Sequence, residues 1–573
     1  MSIHELTKQL EDAEFFDVGH LPLAAAYCRK LNLVDTINRL VQSDMQLQPG
    51  IAVQAMVLDV LSGRSPLYLM ESFVEGVDTE LLLGERMETS LFNDTNLGRS
   101  LDALAACGTG KILTEVGINA ASQFSLDATT VSYDTTSTSV WGDYKDSEED
   151  TLGPHITYGH SKDNQPQLKQ FMTELLCVER GVPLFGRTLD GNQSDKKSNN
   201  EMLTRIGSLM KRHGLGPGTF IYVADSAMVT KDNLAVLGKN RFISRLPANF
   251  SACQRVIDEV VQADVWETLG NLNELSTSKT RPAAMYRTSE REITLNDKTY
   301  RAIVIHSDAH DKRRQKKLVK ALEQSSRDLR DQLKQVTTLY YCEQDAKKAV
   351  TAVESMATAL HHVNATITSV QARKRGRPPK DRPAHTETRY ELTFQIEENK
   401  DTVERWQTSA GCFVLLTNVP SAGDDALDSA GILKAYKGQY GVESGFAFLK
   451  DPLIVNDLFL KTPARIDALG MVLILALLVY RLMERNMRLY LSQNEMTVLG
   501  WDEKPTAKPT TYMLFRLIRG IQVLCIDDQR LYLKPPNDRQ MTFLEALGLD
   551  QSVYLDPRSK CKPVIPLQLR SKG

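Results

Sequence analysis

Residues 219–229, TFIYVADSAMV, form a nearly uninterrupted apolar run that stops on an aspartate. A strand that is apolar on both faces is stable only where both faces are covered, so it belongs inside layers of other structure. The pattern before it fits. FSLDATTVSYDTTSTSVW (124–141) is rich in Thr, Val, Ser and Tyr with a period of two, placing Val131, Tyr133 and Thr135 on one face and Ser132, Asp134 and Thr136 on the other. LKQFMTELLCVERGVPLFGRTLDGN (168–192) reads as two strands joined by a turn at 179–181, and NEMLTRIGSLMKRHGL (200–215) reads as a helix. The order strand, strand, strand, helix, strand predicts an α/β fold.

At 573 residues the chain is long enough for three to five folding units. Residues 1–118 carry helical spacing in VGHLPLAAAYCRKLNLVDTINRLV, in PGIAVQAMVLDVLSG and in NDTNLGRSLDALAACG. This region is expected to be a helical domain for DNA binding or dimerisation. Residues 119–246 hold the strands above, and residues 247–410 interrupt them. The interruption predicts strands at AMYRTSEREITLN, YRAIVIH and TRYELTFQIEE and two helices, DKRRQKKLVKALEQSSRDLRDQLKQV and CEQDAKKAVTAVESMATALHHV. Strand character resumes at GCFVLLTN in 411–500, and 501–573 is a C-terminal region with short strand signals at IQVLCID and RLYLKP.

Hydrophobic residues are 42% and charged residues 25%, the balance of a globular chain, and the net charge of −3 excludes a uniformly basic nucleic-acid coat. The eight cysteines stand singly with no C-x-x-C pair, which argues against a zinc knuckle and for reduced thiols. The N-terminus lacks an apolar signal segment, and ALGMVLILALLVY (468–480) reads as a buried core helix. A cytoplasmic protein is expected.

Three carboxylates stand in unusual places: Asp134 inside a strand, Asp225 at the end of a buried strand, and Glu443 beside the apolar stripe Val442, Phe446, Leu449. Each would need a partner if buried. Together they suit hard divalent cations that clamp a phosphoryl transfer. In YKGQYGVESGFAFLK (436–450), read as one helix, Tyr436, Gln439, Glu443 and Lys450 fall on one stripe despite two internal glycines, Gly441 and Gly445. Those glycines would admit the close approach of a backbone or a DNA strand. The segment RKRGRPPK (373–380), with Lys374, Arg375 and Arg377, can lie in a narrow minor groove or serve as a solvated linker. DKRRQKKLVK (311–320) is a basic helical face that either tracks a DNA backbone or is simply wet. CGTGKIL (107–113) lacks the first glycine and the hydroxyl of a phosphate loop, and HSDAH (306–310) reads as a surface turn.

The sequence resembles the bacterial cut-and-paste insertion-sequence transposases with an RNase H-like DDE core. Their signature Y-x2-R-x3-E-x6-K is met by Tyr436, Glu443 and Lys450, with Gln439 where arginine is usual. NDTNLGRSLDAL, YDTTSTSVWGDY, GHSKDNQPQLKQF, PLFGRTLDGNQSD, ADSAM and VESGFAFLKDPL are similar to one branch, the insertion-sequence sixteen-thirty-four family. The resemblance implies an RNase H-like mixed sheet with a large inserted α+β domain. It also implies catalytic Asp134, Asp225 and Glu443 holding two Mg2+ ions, with Mn2+ as a substitute. Asp127 in LDATT is the rival for the first acid; Asp134 is preferred because YDTTS leads directly into GDY. Tyr436, Gln439 and Lys450 would face the DNA backbone. In related enzymes a tryptophan of the insertion stacks a base; Trp266 and Trp406 are the candidates and neither is assigned. The implied partners are terminal inverted repeats, target DNA and further copies of the chain, in a bacterial cytoplasm near the nucleoid. A DNA-binding regulator without catalysis and a Mg2+-dependent nuclease without strand transfer are the alternatives.

Overall fold

The computed structural model describes residues 13–63, 65–144, 152–179, 181–272, 284–373, 386–451, 460–500, 503–526 and 529–562. The protein is a mixed α/β structure divided into two compact units. One runs to Ser244 and adds Asn418–Ala426 and the chain from Gly431 onward; the other is Arg245–Thr417 with Leu427–Ala430.

In the first unit, β1 (Glu14–Asp17) pairs antiparallel with Gln522–Ile526, which pairs in turn with Gln529–Lys534. The central strands are β2 (Thr130–Val140), β3 (Lys169–Val178), β4 (Val182–Leu189), β5 (Ile221–Ala224) and β6 (Arg241–Arg245), in the order β4-β3-β2-β5-β6. β2, β3 and β4 are antiparallel, while β5 and β6 run parallel to β2. The parallel step is possible because the helix Asp195–Arg212 carries the chain back between β4 and β5. β3 is buried at every position but its first, and β2 at eight of eleven, so the sheet is covered on both faces as its apolar runs require.

Helices supply the cover. In Pro49–Ser62 every residue but the last is buried, with proline at the first turn and Gly63 closing it at φ +111°. Asp94–Cys107 opens on Asn93, whose side chain accepts from the Asn96 amide at 2.9 Å. The principal apolar element is Pro463–Gln493, 31 residues long, in which the expected core segment extends at both ends. By length and composition it is the one helix among the described residues that could cross a membrane, yet 78% of its most apolar window is buried. Each Leu or Ile buried there contributes about 1.5–3 kcal/mol. Its one deeply buried amide is satisfied: Asn486 donates to the Tyr27 hydroxyl at 2.9 Å, which donates to the Leu547 carbonyl at 3.1 Å.

The second unit contains β7 (Glu267–Asn271), β8 (Met285–Leu295), β9 (Lys298–Ser307), β10 (Leu339–Tyr340), β11 (His361–Arg373), β12 (Thr386–Glu398) and β13 (Cys412–Thr417). Two sheets result, with orders β13-β9-β8-β7 and β10-β12-β11. The helix expected through residue 363 ends at Glu354, and His361–Arg373 is a strand registered along its full length with β12. Alternating Thr, Ile and Val from 363 to 370 favour the pleated surface, and pairing with β12 overrides the weak helical spacing. HSDAH is not a surface turn. His306 lies near the end of β9 beside Trp266, and Ser307 caps the helix Asp308–Leu333 by accepting from the His310 amide.

Candidate functional site

Parallel register brings two of the expected acids together. Tyr133 on β2 pairs with Ala224 on β5, so Asp134 and Asp225 follow at the same level of adjacent strands. Asp225 lies where β5 gives way to a short 3-10 turn; its carboxylate accepts from the Ala227 amide at 3.1 Å, and the Ser244 hydroxyl donates to its carbonyl at 2.7 Å. Asp134 accepts from the Thr135 amide at 2.7 Å. Burial pushes the Asp134 carboxyl up to about 7, aided by the charges of Asp225 and Asp195 and opposed by Lys162 and the Thr135 amide. Asp225 is also raised, by burial and by Asp195, again against Lys162. Asp127 is exposed and occupied locally, accepting from the Thr129 amide and hydroxyl at 2.9 and 2.7 Å.

Two members of this cluster were not anticipated. Asp195 stands in the first turn of Asp195–Arg212, and its Oδ1 lies 3.1 Å from Lys162 Nζ. Lys162 Nζ also donates to the Thr135 carbonyl at 2.7 Å and hydroxyl at 3.1 Å, and its amide donates to the Ser137 hydroxyl at 2.9 Å. The next residue, Asp163, reaches Lys450 Nζ at 2.6 Å. The dipeptide Lys162-Asp163 therefore ties β2 to the end of the helix Tyr440–Leu449. Only the motif similarity of GHSKDN and DGNQSD pointed toward these residues, because loop position has no periodicity from which to read it.

The helix bearing Glu443 begins later than the single-helix reading implied. Ser429–Lys437 and Tyr440–Leu449 are separate helices, broken where Gly438 and Gln439 close three-residue turns onto Ala435 and Tyr436. Tyr436 belongs to the first and is partly buried; Lys450 terminates the second. Gln439 is buried, and its amide donates to the Tyr133 carbonyl at 3.4 Å, beside Asp134. It thus faces the protein interior, away from the outward stripe expected for it. Glu443 is exposed, and its carboxylate makes no hydrogen bond or salt bridge among the described residues, while Val442, Phe446 and Leu449 are buried as their spacing required. Lys374, Arg375 and Arg377 lie outside the described residues.

The glycines have a packing reason. A Cβ on Gly181, which has φ +119°, would stand 2.6 Å from the Gly441 carbonyl oxygen, and one on Gly445 would meet Leu477 and Leu175 at 3.3 and 3.6 Å. The backbone that approaches Gly441 is thus the protein's own β3–β4 connection. Gly181→Ala, both clashing and strained, is expected to destabilise the protein by about 2 kcal/mol or more, read from its denaturant midpoint.

A buried network fixes the helix Asp195–Arg212 against the sheet. Glu174 is fully buried and accepts from Tyr133 Oη at 2.7 Å, from Arg187 Nε at 2.6 Å and from Arg205, while Arg187 also reaches Glu201 at 3.0 Å. Arg205 and Glu201 belong to Asp195–Arg212, so this network sets where Asp195 stands.

Among the described residues no three carboxylate, imidazole or thiol groups converge closely enough to share one ion. Lys162 opposes the upward shift of both Asp134 and Asp225, and it pairs directly with Asp195. Residues 13–118 match a family model described as a domain of unknown function (DUF4277). No curated protein matches the chain.

Proposed function

We propose that the protein is a DNA transposase of the RNase H-like DDE class, which cuts at transposon ends and joins the freed 3′ hydroxyl to target DNA. The observation that carries this reading is the register that sets Asp134 beside Asp225 on parallel neighbours of a sheet ordered β4-β3-β2-β5-β6. The motif resemblance adds Glu443, on a helix that Gln439 anchors to the carbonyl preceding Asp134.

In this reading Asp134, Asp225 and Glu443 are the residues that would hold a divalent metal. Mg2+ or Mn2+, when bound, activates the attacking oxygen and offsets charge on the phosphate. Gln439 sets the distance between the Glu443 helix and β2. Tyr436 and Lys450 stand at the two ends of that segment, where a phosphate backbone would be met, and Lys450 exchanges Asp163 for phosphate. Linear DNA carrying the element's terminal repeats, incubated with supercoiled plasmid and Mg2+, is the test. Joined products are expected. Cleavage without joining would assign a nuclease, and binding without cleavage would assign a regulator.

The basic helical face supports DNA as the partner. Lys312, Arg313, Arg314, Lys316, Lys317 and Lys320 are all exposed on Asp308–Leu333, and none of the six pairs with a carboxylate among the described residues. Each phosphate contact contributes about 0.9 to the slope of log affinity against log salt. Changing Arg313, Lys316, Lys317 and Lys320 to glutamine is expected to flatten that slope by about two to three units. The same change at Lys347 and Lys348, exposed on another helix, should leave it unaltered.

A further inference from the structure

The three-stranded sheet of β1, Gln522–Ile526 and Gln529–Lys534 has one face occupied and one open. On the occupied face Val523 and Cys525 are buried, Arg530 Nε donates to Asp78 Oδ2 at 2.6 Å, and the Tyr532 hydroxyl donates to the Gln551 carbonyl at 2.6 Å. The open face carries a row of large apolar side chains. Phe15 pairs with Leu524, and Leu524 pairs with Leu531, so residues directly opposite one another place all three on the same side. Phe15 is 62% exposed and Leu531 51%, and Leu533, at the adjoining bulge, is 49% exposed. A contiguous apolar face of this kind marks a surface that something covers.

The residues that precede β1, MSIHELTKQLED (1–12), have the sequence of such a cover. Ile3, Leu6 and Leu10 recur at spacings of three and four, so on a helix they make one apolar stripe, while His4, Glu5, Lys8 and Glu11 take the other faces. Ser2 followed by Glu5 is a capping box, and Met1 with Leu6 stand at the positions of a hydrophobic staple; both signal a helix that starts at Ile3. A helix over 3–11 is about 14 Å long, too short to hold in water without an apolar surface to lie on. Asp12 and Ala13 are the whole connection to β1, whose second residue is Phe15. We propose that residues 3–11 fold back as an amphipathic helix on the open face, with Ile3, Leu6 and Leu10 against Phe15, Leu524 and Leu531. The outer strands of a three-stranded sheet stand about 10 Å apart, a width that one helix covers. The occupant is this segment of the chain itself, and the inference stands apart from the transposase reading.

The test uses the full chain and two readouts. In a Cys342→Ser background, which removes the exposed native thiol, Leu10→Cys with Leu531→Cys is expected to form an intrachain disulfide under mild oxidation, mapped by proteolysis and mass spectrometry. Lys8→Cys with Leu531→Cys puts the first thiol on the opposite side of the helix and should give about tenfold less. Hydrogen exchange is the second readout: Leu531→Asp with Leu533→Asp should speed exchange of the amides of residues 6–11 about tenfold, while β2 and β3 exchange as in the unaltered protein and so report an intact fold. Equal cross-linking from positions 8 and 10, or exchange at 6–11 that the paired aspartates leave unchanged, overturns the inference. Disulfides that join two chains through Leu531→Cys, in place of the intrachain bond, also overturn it and assign the face to a second copy.

Discussion

Asp134→Asn and Asp225→Asn are each expected to lower Mg2+-dependent strand cleavage by about a thousandfold, about 4 kcal/mol of barrier, while DNA affinity falls little. The reason lies in the register: the two carboxylates stand side by side because Tyr133 pairs with Ala224, and each is already pressed upward by burial and like charge. Because the folded Asp134 carboxyl titrates at about 7, above its ordinary value of 3.8, the folded state binds the extra proton between those limits. Its contribution to stability is therefore present at low pH and lost as pH rises through about 7. Asparagine imitates the protonated form. Asp134→Asn should thus melt higher than the unaltered protein at pH 8 in EDTA, although it no longer cleaves. Cleavage at the normal rate in either variant would remove that aspartate from the site. Glu443→Gln should also abolish cleavage, but with no such gain in stability, since Glu443 is exposed.

The second large effect concerns the fold. Glu174→Gln is expected to destabilise the protein by about 3–5 kcal/mol. Glu174 is fully buried, and two guanidinium groups, from Arg187 and Arg205, converge on it together with the Tyr133 hydroxyl. Removing the carboxylate charge leaves two cations facing each other at a sheet surface, with Glu201 reaching only Arg187. The loss should be cooperative and visible as a lower urea midpoint. It should also displace Asp195–Arg212, which Arg205 ties down. A change below about 1 kcal/mol would show that the network contributes no net stability.

The strands and most helices were legible because their signals are local. The apolar start of TFIYVADSAMV forms a covered strand over Ile221–Ala224, giving way to a 3-10 turn at Ser226–Met228, and the β-branched, hydroxyl-rich Thr130–Val140 is a strand throughout. Val442, Phe446 and Leu449 declare a buried helix face whatever lies opposite. Errors arose where two local signals compete. Residues 361–373 carry weak helical spacing and strong β-branched content, and only pairing with β12 decides between them. The break at Gly438 was hidden because a three-residue turn preserves nearly the same stripe as a helix.

The candidate site divides along the same line. The sequence by itself determined the chemical types: two aspartates at strand positions that demand company, a glutamate on an apolar-backed helix, and glycines where backbones must come close. Tertiary structure alone decided which groups meet. Asp195 and Lys162 enter through a helix terminus and a loop, which are placed by contacts such as Glu174 with Arg205 and Asp163 with Lys450. Gln439 likewise changed from an outward residue to an inward anchor, because the direction of a side chain at a helix break depends on what packs beneath it. Periodicity is a property of neighbouring residues, whereas a charge cluster is set by distances across the fold.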